Sequence, residues 1–250
     1  MREKVLGGWS MSLTRAPFTE FDSVMYGMVT NLSGLTVGTA DSPGWSPATT
    51  PAPLVDPDFS GSTLWVYGGG GCSPQGRPES DGDVEQIIAA TVSSGWQGVD
   101  FDDECSMNIP LVTETMRRLK ALKKETSYGF IAGYSWNHPQ SSSGSALTDK
   151  VRGVIDSGYC DRLVHYCYAT AMWSDSDITA NVRPALENSL SYGMPPEGVI
   201  LALTARGLTD WSLNYFLDQV EELDIGGLYI WLYHELSDAH RALIKARLGK

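Results

Sequence analysis

Eight β-rich segments, most of the later ones followed by a helical pattern, constrain this chain more than any other feature of its sequence. They fall at residues 4–9, 22–29, 63–67, 98–102, 128–134, 162–168, 198–204 and 227–233. Helical periodicity follows over 83–94, 110–124, 146–156, 177–191, 210–223 and 236–248. Strands alternating with helices imply a parallel sheet, and eight such units in 250 residues match the usual size of a (β/α)₈ barrel. The beginning is irregular. The first connection contains Pro17 and has room for little more than a turn or two of helix, while residues 39–62 are rich in proline, glycine, serine and threonine and read as a long surface excursion. The expectation is an α/β fold: a single (β/α)₈ TIM barrel over residues 1–250, with irregular first two βα units.

Inside the fourth strand lies Gln97-Gly98-Val99-Asp100-Phe101-Asp102-Asp103-Glu104. Side chains alternate across a strand, so Asp100, Asp102 and Glu104 share one face, and Val99, Phe101 and Asp103 take the other. Three carboxylates in a row cannot all be desolvated and ionised cheaply. Such a row sees water as a solvated face, binds a cation such as calcium or magnesium, or holds protons at shifted pKa values. In a TIM barrel the active site lies at the C-terminal ends of the strands, which puts Glu104 uppermost, in the position of a general acid.

Composition removes several alternatives. The formal net charge of −12 opposes binding to nucleic-acid phosphates and anionic membranes, so a neutral or cationic substrate is expected. No apolar run approaches the roughly 18 residues of a membrane helix, and no apolar signal region opens the chain, which leaves a cytoplasmic protein or one whose leader has been removed. Cys72, Cys105, Cys160 and Cys167 lack CxxC spacing, and His138, His165, His234 and His240 are scattered, so no metal cofactor is expected. Cys72 and Cys105 lie just beyond adjacent strands and are candidates for a disulfide, which four free thiols by mass spectrometry would exclude. The run Gly68 to Gly71 invites a phosphate-cradle reading, but it has neither the GxGxxG spacing nor a following lysine and hydroxyl residue.

Residues 97–104 resemble the DGxDxDxE signature of glycoside hydrolase family 18, which includes chitinases, endo-β-N-acetylglucosaminidases and inactive chitin-binding relatives; Gln97 replaces the first aspartate. The glycine-rich end of strand three, with Gly69 and Gly70, is similar to the family's SxGG segment, its serine replaced by Val66 or Tyr67. Residues 161–169 are similar to the stretch ending in Met-x-Tyr-Asp, which aligns Tyr168 with the tyrosine and leaves Ala169 where the family has an acid. Trp231 resembles the tryptophan that floors the sugar subsite.

The resemblance implies retaining hydrolysis of β-1,4-linked N-acetylglucosamine polymers through an oxazolinium intermediate, with no cofactor. Glu104 would be proton donor, Asp102 partner of the acetamido N–H, Asp100 a buried modulator and Tyr168 donor to the acetamido oxygen. Trp231, Trp136, Trp173 and Tyr26 are expected to meet the sugar, as is the Gly69–Gly70 turn; Trp9 lies on the first strand and is equally suited to cleft or core. Trp96 and Trp211 are expected to be structural. Only about 20 residues separate strands seven and eight, too few for the α+β insertion that deepens many chitinase grooves, so a shallow cleft and endo-type cleavage are expected of a secreted monomer. The alternatives are an endo-β-N-acetylglucosaminidase acting on the chitobiose core of N-glycans and a non-catalytic chitin-binding lectin.

Overall fold

The computed structural model describes residues 3–10, 17–27, 29–31, 36–37, 58–70, 77–104, 106–167 and 174–250. Eight strands close a parallel barrel: β1 (Val5–Ser10), β2 (Ser23–Tyr26), β5 (Ser62–Gly68), β6 (Gly98–Asp103), β7 (Glu125–Ile131), β8 (Arg162–Tyr166), β9 (Val199–Thr204) and β10 (Gly227–Trp231), with β10 pairing back onto β1. The TIM-barrel expectation holds. Two short strands, β3 (Val29–Asn31) and β4 (Thr36–Val37), form an antiparallel pair outside the barrel, where the sequence pattern ran Val29 into the second strand.

The helical returns are α1 (Asp81–Ser93), α2 (Ile109–Ala121), α3 (Tyr134–Asn137), α4 (Ser142–Ser157), α5 (Asp175–Ser191), α6 (Asp210–Glu222) and α7 (Asp238–Leu248). Each long helix starts at a residue whose side chain accepts an otherwise unpaired backbone N–H: Ser80, Asn108, Ser141, Ser174, Thr209 and Ser237. Among the described residues the returns after β1 and β2 carry no helix. No helix among them is long and apolar enough to cross a membrane.

The strands' period of two divides the core into two layers. Trp9, Met25, Leu64, Val66, Val164, Tyr166, Ile200, Ala202 and Tyr229 fill the barrel, while the alternate residues pack outward beneath the helices. Trp96 belongs to the outer layer, fully buried and stacked on Trp65 with ring centroids 4.2 Å apart. Trp211 is exposed on α6 and stacks on Tyr215.

The helix-poor start of the barrel is tied to its last helix. Glu20, between β1 and β2, accepts two hydrogen bonds from the Arg241 guanidinium on α7, and that guanidinium lies 3.9 Å from the centre of the Phe18 ring. The hydrogen bonds from Arg241 hold the Glu20 carboxyl down at about 2, against an ordinary 4.5. A depressed carboxyl stabilises the fold above its unfolded value and loses that contribution as pH falls towards the folded one. Glu20→Gln should therefore destabilise the protein by about 1–2 kcal/mol at neutral pH, a loss of some 2–8 °C in Tm. The difference from wild type should fade between pH 4.5 and about 2 in parallel thermal melts.

Candidate active site

The alternation read in the fourth strand is realised in β6. Val99 and Phe101 lie in the outer layer, so Asp100 and Asp102 point into the barrel, both buried. Asp103 turns outward, where its oxygens accept from the Tyr128 hydroxyl (2.6 Å) and the Met107 N–H (2.9 Å). It fastens the strand's end to the segment leading into α2. Glu104 follows the strand and is half-buried.

Asp100 is enclosed by donors. The Trp9 indole N–H reaches Oδ2 at 3.0 Å, and the Ser127 hydroxyl donates to Oδ1. Ser127 stands beside Asp100 in the β6–β7 register, as Val66 does on the other flank in β5. Val66 faces inward and Tyr67 outward, so Val66 occupies the position next to Asp100 but offers it no hydrogen bond. The hydroxyl comes instead from Ser127. Each Asp100 oxygen thus has one donor. Burial raises the Asp100 pKa and the two donors oppose the rise.

Asp102 lies one inner position nearer the mouth. Its pKa is raised well above the ordinary carboxylate range, first by burial and then by the negative charges of Glu104 and Asp100. The Tyr166 hydroxyl nearby works in the opposite sense. Tyr166, paired with Ile131 in the β7–β8 register, reaches inward over Gly129 of β7, where a Cβ would fall 2.0 Å from its hydroxyl oxygen. The Trp9 ring meets Tyr166 edge-on at 5.5 Å and Tyr229 at 5.6 Å, which seats Trp9 in the barrel interior with its N–H aimed at Asp100.

The glycine run of β5 clears the space beside Glu104. Gly68 and Gly69 have φ of 95° and 88°, a region side-chain-bearing residues avoid. A Cβ on Gly68 would meet the Asp102 carbonyl oxygen at 2.3 Å, and the Gly69 N–H donates to that same oxygen at 2.8 Å. At Gly70 a Cβ would lie 3.1 Å from Oε2 of Glu104. Thus Gly69 and Gly70 sit against the top of the acidic row. Burial raises the Glu104 pKa, and Glu104 has no hydrogen-bond partner among the described residues. A cavity of about 500 Å³ opens at its side chain, between the ends of β6 and β7 and helix α4.

The other expected site residues divide. Trp231 ends β10 on the inner face, half-buried against the barrel's interior side chains, with Trp9 as its register partner. It lies at the mouth. Trp136 does not: it is 1% exposed, its indole N–H donates to the Ala185 carbonyl at 2.9 Å, and Phe130 and Tyr192 meet its ring edge-on. With its ring buried beneath α5, Trp136 has no face left for a sugar. Tyr26 is likewise corrected. On β2 the inner position belongs to Met25, so Tyr26 turns into the outer layer against Trp65. Tyr168, Ala169, Trp173, Cys72 and Cys105 lie outside the described residues.

Gln97, the departure at the start of the motif, sits at the opposite end of the strand. Its Oε1 accepts from the Thr63 N–H at 2.5 Å, and its carbonyl accepts from the Glu125 N–H at 2.9 Å. It joins β5, β6 and β7 below the barrel and has no part in the mouth. His165 is buried between the Ser189 hydroxyl (2.6 Å) and the Ile200 carbonyl, and burial lowers its pKa to about 4, so it is neutral at ordinary pH.

No protein-family model matches this chain, and no curated protein matches it significantly. Solved structures do share its fold. The catalytic domain of a hyperthermophilic chitinase from Pyrococcus furiosus is similar with a TM-score of 0.66 and 13% identity, covering 100% of this chain and 96% of that one. Chitinase A of Streptomyces coelicolor, a putative chitinase, aligns with a TM-score of 0.65 and 15% identity over 99% of both chains. A fungal endo-β-N-acetylglucosaminidase of glycosyl hydrolase family 18 aligns with a TM-score of 0.59 and 17% identity, covering 98% of this chain and 96% of that one. At these identities the likeness is one of fold.

Proposed function

We propose that this protein is a retaining glycosidase acting on β-1,4-linked N-acetylglucosamine, with the substrate's own 2-acetamido group as nucleophile. The observation that carries the reading is the inner row of β6: buried Asp100 and Asp102 rising to a half-buried Glu104 at the barrel mouth. Glu104 would protonate the glycosidic oxygen while the acetamido oxygen attacks the anomeric carbon, giving an oxazolinium ion, and would then take a proton from the water that opens it. Asp102 would accept the acetamido N–H and balance the positive charge on the oxazolinium ring. Asp100, held by Trp9 and Ser127, would share in the proton balance of this coupled row. Tyr168 is assigned by its motif to the acetamido oxygen, and Trp231 to the floor of the sugar site.

The acid role requires Glu104 to keep its proton at the working pH, and burial favours this. The charge-balancing role requires Asp102 to lose its own, and Asp102 is raised as well. Both limbs of the pH profile for kcat/KM should thus lie above the ordinary carboxylate values, with activity falling on the alkaline side as Glu104 ionises and on the acid side as Asp102 is protonated. An alkaline limb centred below 4.5 would contradict this assignment.

The fold is also that of an endo-β-N-acetylglucosaminidase, so the chitobiose core of N-glycans is the second reading. Digestion of chitin oligomers and of a high-mannose glycoprotein, followed by product mass, separates the two. Cleavage of the oligomers is expected. Glycan release without oligomer cleavage would transfer the assignment, and binding of oligomers without turnover at any pH would make the protein a lectin.

A further inference from the structure

The cavity beside Glu104 has a wall that the hydrolytic scheme does not use. Tyr134, the first residue of α3, exposes 61% of its surface and is held flat against His138, ring centroids 3.9 Å apart and planes 18° apart. On the facing helix α4, Lys150 lines the same cavity. Lys150 forms no ion pair or hydrogen bond with any described residue, in a chain of net charge −12 where Lys4, Lys120 and Lys250 all meet carboxylates. The hydroxyls of Ser135 and Ser143 complete the polar lining, 3.1 Å from each other.

Two carboxyl groups also border the cavity. Neither pairs with Lys150. Asp103 is turned to Tyr128 and the Met107 N–H, and Glu104 is the group expected to carry a proton. An aromatic face, paired hydroxyls and one unpaired ammonium suit a sugar that bears a carboxylate.

We propose that this cavity is a leaving-group subsite selecting an acidic saccharide, a hexuronic acid or a carboxyalkyl-substituted amino sugar, whose ring lies on Tyr134 and whose carboxylate meets Lys150. The proposal rests on the glycosidase reading, because it places the leaving group on the side of Glu104 facing α4. The acetamido sugar on the other side of the scissile bond stays neutral.

The test uses two chitobiosides that differ in one group, with para-carboxyphenyl and para-carbamoylphenyl as leaving groups. The ratio of kcat/KM for carboxylate over carboxamide is read in wild type, Lys150→Met and Lys150→Arg. The ratio should fall about three- to fivefold in Lys150→Met, the scale of one partly exposed ion pair, and stay near wild type in Lys150→Arg. Added salt should narrow the gap between wild type and Lys150→Met. A ratio unchanged by Lys150→Met overturns the subsite. If neither glycoside is cleaved, the glycosidase reading fails separately, and calorimetric affinities of the same pair supply the ratio. Tighter binding of the carboxylate that depends on Lys150 sustains the cavity as an acid-sugar site, whereas equal affinities overturn it.

Discussion

Glu104→Gln should lower kcat on chitooligosaccharides by roughly 10²–10⁴-fold, the usual worth of a positioned general acid, with the oligosaccharide still bound. The amide keeps the shape of the acid and loses its transferable proton. Glu104 has no hydrogen-bond partner among the described residues, so the substitution strands no described group, and because burial raises its pKa the protein should melt no lower than wild type at neutral pH. That combination separates a chemical role from a structural one: rate falls, affinity holds and Tm does not drop. Isothermal titration with an uncleaved oligomer, rate measurements and thermal melts check the three arms. An unchanged rate would remove Glu104 from the mechanism.

Asp102→Asn should move activity and stability in opposite directions. Activity should fall by about 10² or more, because a neutral amide cannot balance the charge of the oxazolinium ion in a water-poor site. Stability should rise at neutral pH. Burial and two neighbouring negative charges raise the Asp102 pKa above its unfolded value of 3.8. A group with a raised folded pKa costs nothing below its unfolded value and opposes folding increasingly as pH climbs through the folded one. Asparagine removes that cost, at about 1.4 kcal/mol for each unit of the shift and 2–4 °C in Tm for each kcal/mol. The gain should shrink as pH drops towards 3.8. A lower Tm for Asp102→Asn at neutral pH would mean that the carboxylate is stabilised by its surroundings and that the site stores no strain.

Much of this was legible in the chain because the physical signals are local. The period of two in β6 put Asp100 and Asp102 inside and Asp103 outside, and Thr209 marks where the helix from Asp210 begins. The start of β7 was missed. Glu125, Thr126 and Ser127 are polar, and nothing nearby in sequence says that Ser127 meets Asp100 or that the Thr126 hydroxyl meets the Tyr159 carbonyl. Those partners come from the neighbouring strand β6 and from the connection before β8. Trp136 and Tyr26 failed as site residues for a related reason: a tryptophan just past a strand can turn beneath a helix, and a strand aromatic has two faces to choose from. Tyr166 escaped notice because its inward reach depends on the missing side chain of Gly129, one strand away. The acidic row was readable as a motif, whereas the shell that holds it was readable only once the barrel had closed.

The most direct test of the central claim is the configuration of the first product of chitotetraose cleavage, followed by proton NMR before mutarotation. Attack by the acetamido group and then by water inverts the anomeric carbon twice, so the newly formed reducing end should appear as the β-anomer. A first product with the α-configuration would contradict the proposed chemistry of Glu104 and Asp102, and absence of any cleavage would contradict the function itself.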